Sequence, residues 1–239
     1  MMGNFEITSY CISGGLDAPL KALIVADLHS APTEELYAAI REISPDLILC
    51  PGDTFHRATP DTKGIEFLNN AAKLCPVFCS VGNHEVKHGT GARAAIRQSG
   101  AVLLDDEWTE FGGITIGGLS TGYVEGLKQG RLKKTPRPRL EALEGFFAKD
   151  GFKILLSHHP EYYPRYLKDK NVGLIISGHA HGGQWRMFGR GVFAPGQGIF
   201  PKYTAGLHDG KLLVSRGLAN NTAIPRIFNK PELIILNLK

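Results

Sequence analysis

The chain has 239 residues, 43% of them hydrophobic and 21% charged, with a formal net charge of +4. This composition excludes a disordered tail or a fibrous repeat, leaves enough chain to bury a core, and does not demand a nucleic-acid partner. No apolar run reaches the roughly 18–20 residues that a membrane-spanning helix needs.

The first 20 residues include Glu6 and Asp17 and lack both an early basic cluster and a long apolar segment, so no signal peptide is read and a cytoplasmic location is expected. Residues 21–26 then read as a strand closing on Asp27, and a helix is expected over 32–43. Residues 46–50 form the next apolar run, closing on Pro51-Gly52-Asp53, and 62–74 read as a helix with Ile65, Leu68 and Ala72 on one face. A third strand over 76–81 closes on Gly82-Asn83-His84, followed by a helix over 91–98 and a strand over 101–104. Strands alternating with helices predict a parallel sheet. Beyond Asp105 the pattern is richer in strands: 114–120, 153–157 and 173–177, with one helix at 140–148. A hairpin over 203–207 and 211–215 and a last strand at 232–237 complete the chain. No linker or repeat divides it, so one α/β domain over 1–239 with two sheets is expected.

The four cysteines, Cys11, Cys50, Cys75 and Cys79, read as buried free thiols, since two of them sit in apolar strands of a chain without an export signal. The C-x3-C spacing of Cys75 and Cys79 has no second pair to complete a thiolate zinc site. Lys128, Arg131, Lys133, Lys134, Arg137 and Arg139 form a basic stretch without an acidic residue. Such a stretch suits a solvated loop, a lip that attracts a phosphate-bearing substrate, or a peripheral contact with an anionic membrane.

Polar residues gather just after the strands: Asp27-Leu28-His29, Gly52-Asp53, Gly82-Asn83-His84-Glu85, His158-His159-Pro160 and Gly178-His179-Ala180-His181. Ligands of α/β sheets bind outside the carboxyl ends of strands, so five such clusters converge on one rim. Asp-x-His or Gly-Asp alone means little, but Gly-His-x-His is expected by chance only about 0.04 times in a chain of this composition, and the five together are a strong signal. Imidazoles, carboxylates and an amide carbonyl, without thiolate, suit Mn²⁺, Fe or Zn²⁺, with Mn²⁺ the first expectation. Asp27, His29, Asp53, Asn83, His158, His179 and His181 are too many donors for one tetrahedral ion and suit two divalent ions sharing a carboxylate. That arrangement predicts hydrolysis of a phosphate ester, with a water acidified between the ions as nucleophile.

This series of motifs resembles the calcineurin-like metallophosphoesterase superfamily over residues 21–184. The resemblance implies a four-layer α/β/β/α sandwich with a dimetal site at the C-terminal ends of the central strands. It implies that Asp27, His29 and His181 hold one metal, that Asn83, His158 and His179 hold the other, and that Asp53 bridges them. His84 would be the catalytic residue that contacts the phosphoryl group, and Glu85 the carboxylate that orients it. The segments Gly182-Gly183-Gln184, Ser215-Arg216-Gly217, Pro225-Arg226 and Pro231-Glu232 resemble bacterial phosphodiesterases similar to UDP-2,3-diacylglucosamine pyrophosphatases. The implied reaction is phosphodiester cleavage. The alternatives are a pyrophosphatase acting on a nucleotide-linked lipid or sugar, or a scaffold without catalysis.

His56, Arg57 and His88 follow the motif residues closely and are candidate substrate contacts. His159 is expected to face away from the metals, because neighbouring side chains at a strand end alternate in direction. His208 precedes an Asp-Gly turn and reads as solvated, and Arg216 and Asn220 suit either a leaving-group contact or a structural role.

Overall fold

The central strands are apolar through their middles because both of their faces are covered. The computed structural model describes residues 5–31, 33–56, 62–87, 89–122, 135–195, 197–219 and 225–239. In chain order the elements begin with β1 (Glu6–Ile12), β2 (Leu20–Ile24), α1 (Glu34–Ile43), β3 (Leu47–Cys50) and α2 (Thr62–Ala71). There follow β4 (Val77–Ser80), α3 (Asn83–Lys87), α4 (Thr90–Gln98) and β5 (Val102–Leu104). The second half carries β6 (Glu107–Phe111), β7 (Ile114–Leu119), α5 (Glu144–Ala148), β8 (Lys153–Ser157) and β9 (Leu174–Ser177). Two small hairpins come next, β10 (Arg186–Met187) with β11 (Arg190–Gly191), and β12 (Phe193–Ala194) with β13 (Gly198–Ile199). The last strands are β14 (Gly206–His208), β15 (Leu212–Val214) and β16 (Glu232–Leu238).

Two six-stranded sheets result, ordered β1-β16-β2-β3-β4-β5 and β14-β15-β9-β8-β7-β6. Strands β2 to β5 run parallel, as do β7, β8, β9 and β15, while β6 and β14 are antiparallel edges. Successive side chains on a strand point to opposite faces, and this sorts the apolar residues into three cores. Leu23, Ile48, Val77 and Leu103 face α1, α2 and α4, where they meet Ile40, Leu68 and Ile96. Their neighbours Ile24, Leu49, Phe78 and Leu104 face the other sheet and meet Ile116, Ile154, Ile176 and Leu213. On the far side of the second sheet, Leu155, Ile175 and Val214 are covered by Leu143, Phe146 and Tyr163. The order is helix, sheet, sheet, helix, the four-layer α/β/β/α arrangement, and each fully buried Leu or Ile contributes about 1.5–3 kcal/mol.

The expected strands and helices of the first half are present within a few residues of their predicted bounds. The 140–148 helix is instead a 3-10 turn, Leu140–Leu143, running into α5. Beyond the sequence reading lie β1, α3, β6 and the two small hairpins β10–β11 and β12–β13. All four cysteines are free; Cys50 and Cys79 are buried, but Cys75 is half-buried and Cys11 is exposed on β1, at the sheet edge. No helix of the described residues is long and apolar enough to cross a membrane.

Candidate metal centre

The site is made where parallel strands end. β2 leads into Asp27 and His29, β3 into Asp53, β4 into Asn83 and His84, β8 into His158, and β9 into His179 and His181. Each loop turns sharply. Asp27, His29, Asp53, His179 and His181 all have positive φ, between 43° and 64°. Left-handed backbone costs roughly 1–2 kcal/mol per non-glycine residue and persists only where surrounding contacts hold it.

Those contacts run from loop to loop. The N–H groups of Asp27, His29 and Ser30 donate to the carbonyls of Gly52, Asp53 and Thr54. His84 N–H donates to Asp53 Oδ1 at 2.8 Å, and His179 N–H donates to both carboxylate oxygens of Asp27, at 3.1 and 2.9 Å. Such close approach of backbone to carboxylate explains two motif glycines. A Cβ on Gly82 would lie 2.3 Å from Asp53 Oδ1, and one on Gly178 would lie 2.5 Å from Asp27 Oδ2.

The seven expected ligands come together. Among the described residues, Asp27, His29 and His181 bring donor atoms within 4.8 Å of one another, as do His29, Asp53 and His84, and again Asp53, His158 and His179. Asp53 lies between the first and last of these sets: its Oδ2 is 3.8 Å from His29 Nε2, 3.9 Å from His84 Nε2 and 3.2 Å from His158 Nε2. Asn83 Oδ1 lies 3.2 Å from His158 Nε2. His29 Nε2 and His181 Nε2 face each other at 3.4 Å, with Asp27 Oδ1 4.0 and 3.9 Å away.

Burial sets the protonation of this cluster. It pulls His29 and His181 down to about 4, helped for His181 by the positive charge of Arg226, so both imidazoles are neutral at pH 7. Burial also pulls His84 down to about 3 and raises the Asp27 carboxyl. For Asp53 burial acts upward, but the charge and hydrogen bond of His158 more than reverse it and hold the carboxyl well below its usual value. The same pair lifts His158 to about 9, against burial.

Whether these residues fit divalent ions is decided by where lone pairs point. His181 Nδ1 lies 3.3 Å from the Ala219 carbonyl; donation there leaves the Nε2 lone pair facing His29 and Asp27. The neutral nitrogens of His29 and His181 and an oxygen of Asp27 thus converge on one point, and His158 Nε2 lies 3.2 Å from both Asp53 Oδ2 and Asn83 Oδ1 at a second. A donor set of this kind fits two divalent cations.

Other expected residues fall differently. His56 is exposed at the rim, its ring 6.3 Å from those of His29 and His84. Arg57, His88 and Asn220 lie outside the described residues, as do Lys128, Arg131, Lys133 and Lys134. Arg139 pairs with Asp106 at 2.7 Å and Arg137 with Glu141 at 3.7 Å. Arg216 bonds to Glu6 and Glu232, the structural role. His208 is half-buried, with its Nε2 3.1 Å from the Ala205 carbonyl, rather than solvated. Glu85, which the resemblance casts as the group orienting His84, accepts from the N–H groups of Asp53, Phe55 and Gly82. Its carboxylate therefore holds the loop that carries Asp53. Burial, with the charge of Asp53, raises Glu85 to about 7.

Three supports were not foreseen. His159 packs against His179 on the side of Glu161: its ring centre is 4.1 Å from that of His179, and its Nδ1 is 3.4 Å from Glu161 Oε1. His159, Glu161 and His179 form a fourth set of donor atoms within 4.8 Å of one another. Arg226 Nη2 reaches His181 Nδ1 at 3.3 Å, and Asn229 Nδ2 donates to the carbonyls of His181 and Gln184. The only sequence signal for Glu161 is its place just after His-x-Pro; Arg226 stands in the Pro225-Arg226 segment of the resemblance but with no role assigned there, and Asn229 carries none.

Comparison with known proteins agrees with this geometry. A 29% identical relative over 94% of the chain is an uncharacterized metallophosphoesterase of Campylobacter jejuni, Cj0846, of whose length the chain spans 60%. Phosphodiesterase YaeI of Escherichia coli is 28% identical over 99% of the chain and 89% of its own length. A solved structure, TT1561 of Thermus thermophilus, is similar at 14% identity and a TM-score of 0.47, over 67% of this chain and 82% of that one. The profile of the calcineurin-like phosphoesterase family matches residues 20–183, a stretch that holds every motif loop described above. The chain belongs to the calcineurin-like phosphoesterase family.

Proposed function

We propose that this chain is a metal-dependent phosphodiesterase holding two divalent cations, Mn²⁺ first among those its donors suit, with Fe or Zn²⁺ as the others. Asp27, His29 and His181 would hold one ion and Asn83, His158 and His179 the other, with Asp53 shared between them. The observation that carries this reading is the approach of His29 Nε2 to His181 Nε2 at 3.4 Å beside Asp27, two neutral imidazoles and a carboxylate aimed at one point. When bound, such ions polarise phosphoryl oxygens and lower the pKa of a water to near neutrality.

The protein's own part is positional. The His84 N–H holds Oδ1 of Asp53 and leaves Oδ2 toward three imidazoles. His84 is the second residue of α3 and is buried, with its ring centre 4.5 Å from that of His29. From there its imidazole, neutral at pH 7, can donate its N–H to a phosphoryl oxygen and stabilise the charge that gathers there. The name of the Escherichia coli relative supports a diester over a monoester.

The test is hydrolysis of bis-p-nitrophenyl phosphate against p-nitrophenyl phosphate by chelator-stripped protein, with and without Mn²⁺. Metal-dependent cleavage favouring the diester is expected. Preference for a nucleotide-linked pyrophosphate would move the reading to a pyrophosphatase, and no turnover with two ions bound would move it to a scaffold.

A further inference from the structure

Beyond the site, the segment from Trp185 to Phe200, with the turn at Ile227 and Phe228, leaves an unusual surface. Phe188 is 100% exposed, Phe228 87% and Phe200 77%, and Trp185, Met187 and Ile199 are exposed beside them. Soluble surfaces rarely leave so many large apolar side chains together. The segments form one hydrogen-bonded unit. Val192 N–H donates to the Trp185 carbonyl, Phe200 N–H to the Val192 carbonyl, and Arg186 N–H to the Ile227 carbonyl.

The backbone carries these aromatics at a cost. Phe188, Phe200 and Phe228 all have positive φ, at 50°, 51° and 50°. Phe188 and Gly189, both with positive φ, make the two-residue turn between β10 and β11. That turn favours Asn-Gly, so a phenylalanine there works against local preference. Strain of this kind, repeated at three tips, marks a functional surface rather than a packing accident.

Charge points to the occupant. Residues 170–231 contain eight lysines and arginines and a single acidic residue, Asp209. Asp209 accepts a hydrogen bond from Tyr163 OH. Arg190, Lys202 and Lys230 are exposed next to the aromatic tips. An isologous contact with a second copy would bring like charges together. Apolar tips rimmed by cations match the interface of an anionic bilayer, where aromatic rings enter the headgroup region and cations meet lipid phosphates. We propose that the 185–200 hairpins and the 227–228 turn form a docking surface for an anionic lipid bilayer. The surface adjoins the metal centre, since Trp185 follows His181 by four residues and Asn229 ties both ends of the unit to the His181 turn.

The experiment is co-sedimentation of the full chain with vesicles of equal parts phosphatidylglycerol and phosphatidylcholine, and with phosphatidylcholine alone. Binding to the anionic vesicles that weakens with salt is expected. The triple variant Phe188→Asn, Phe200→Asn, Phe228→Asn keeps residues that tolerate positive φ, and should bind at least about tenfold more weakly with an unchanged Tm. As a second readout, in a Trp108→Phe chain the emission of Trp185 should shift to the blue with anionic vesicles. If the triple variant fails to fold, Phe188→Asn alone takes its place, because its turn prefers Asn. Absence of binding at low salt, or a triple variant that binds as the parent does, overturns the proposal. So does a concentration-dependent dimer of the parent that the variant lacks, without vesicle binding, since the occupant is then a second copy. Sedimentation requires no turnover, so this outcome is separate from that of the diester assay.

Discussion

The two sheets contribute unlike halves to one rim. The first sheet supplies both carboxylates of the expected ligand set, Asp27 and Asp53, together with His29 and Asn83, on loops that bond to one another through backbone groups and through the Glu85 carboxylate. The second supplies imidazoles, His158, His179 and His181, whose loops are steadied by side chains: Glu161 beside His159, and Arg226 and Asn229 beside His181. Backbone bonding between adjacent parallel strands makes a stiff acidic cradle, whereas the imidazole side depends on distant, replaceable groups. The difference teaches that charge and shape are separable on the first sheet and entangled on the second.

The strongest way to break this comparison is Asp53→Asn. The amide oxygen can still accept from His84 N–H, so the cradle keeps its shape and loses its shared charge. Turnover of bis-p-nitrophenyl phosphate should fall at least about 10³-fold, and metal analysis should find fewer than two ions per chain. Two tightly bound ions in this variant would show that the charge of Asp53 is not what joins them. Next in size is His84→Ala. His84 stands on the first sheet's side but outside the expected ligand set, so turnover should drop about 10²- to 10⁴-fold while metal content stays at the parent value. Loss of metal together with activity would make His84 a ligand.

On the imidazole side, Glu161→Gln keeps the size of a buried side chain whose carboxyl, though raised by burial, is held below its usual value by His159 and His179. Carboxylates behind metal-binding imidazoles set ring orientation and basicity, and their loss typically weakens metal affinity about 10- to 100-fold. Titration of the stripped protein with Mn²⁺ measures this directly. An unchanged affinity would mean that the second sheet is as self-supporting as the first.

How much of this was legible in the sequence follows the same division. The run from β2 to β4 could be read because central parallel strands carry continuous apolar runs and each ends in a polar motif. β1 could not: its residues are exposed or half-exposed, and it is a strand only because it pairs with β16, at the other end of the chain. β6 is a half-exposed antiparallel edge of the same kind. The small hairpins carry ladders of two residue pairs, and Phe188-Gly189 hides a turn that Asn-Gly would have announced. At the site the donor residues stand in short motifs and were visible. The supports were not, because Asn229 acts on His181 across 48 residues and nothing local marks it.

Asn229→Ala should have the smallest effect and is the sharpest probe of that hidden support. The side chain is buried and donates at 2.8 Å to the His181 carbonyl and at 3.0 Å to that of Gln184. Its Oδ1 is buried without a partner, so truncation removes two good donations and one unsatisfied acceptor. At about 1 kcal/mol for each lost bond, less the relief of that acceptor, the net cost is about 1–2 kcal/mol. In a chain of this length that lowers Tm by about 2–8 °C. Bound metal should hold His181 in place, since its Nδ1 still donates to the Ala219 carbonyl. Turnover at saturating Mn²⁺ should therefore fall only about twofold to fivefold, with a larger loss at limiting metal. If turnover instead falls as far as in His84→Ala even at saturation, then the turn after β9 positions the reacting groups as well as the ions. The imidazole side would then be the more demanding half of the site.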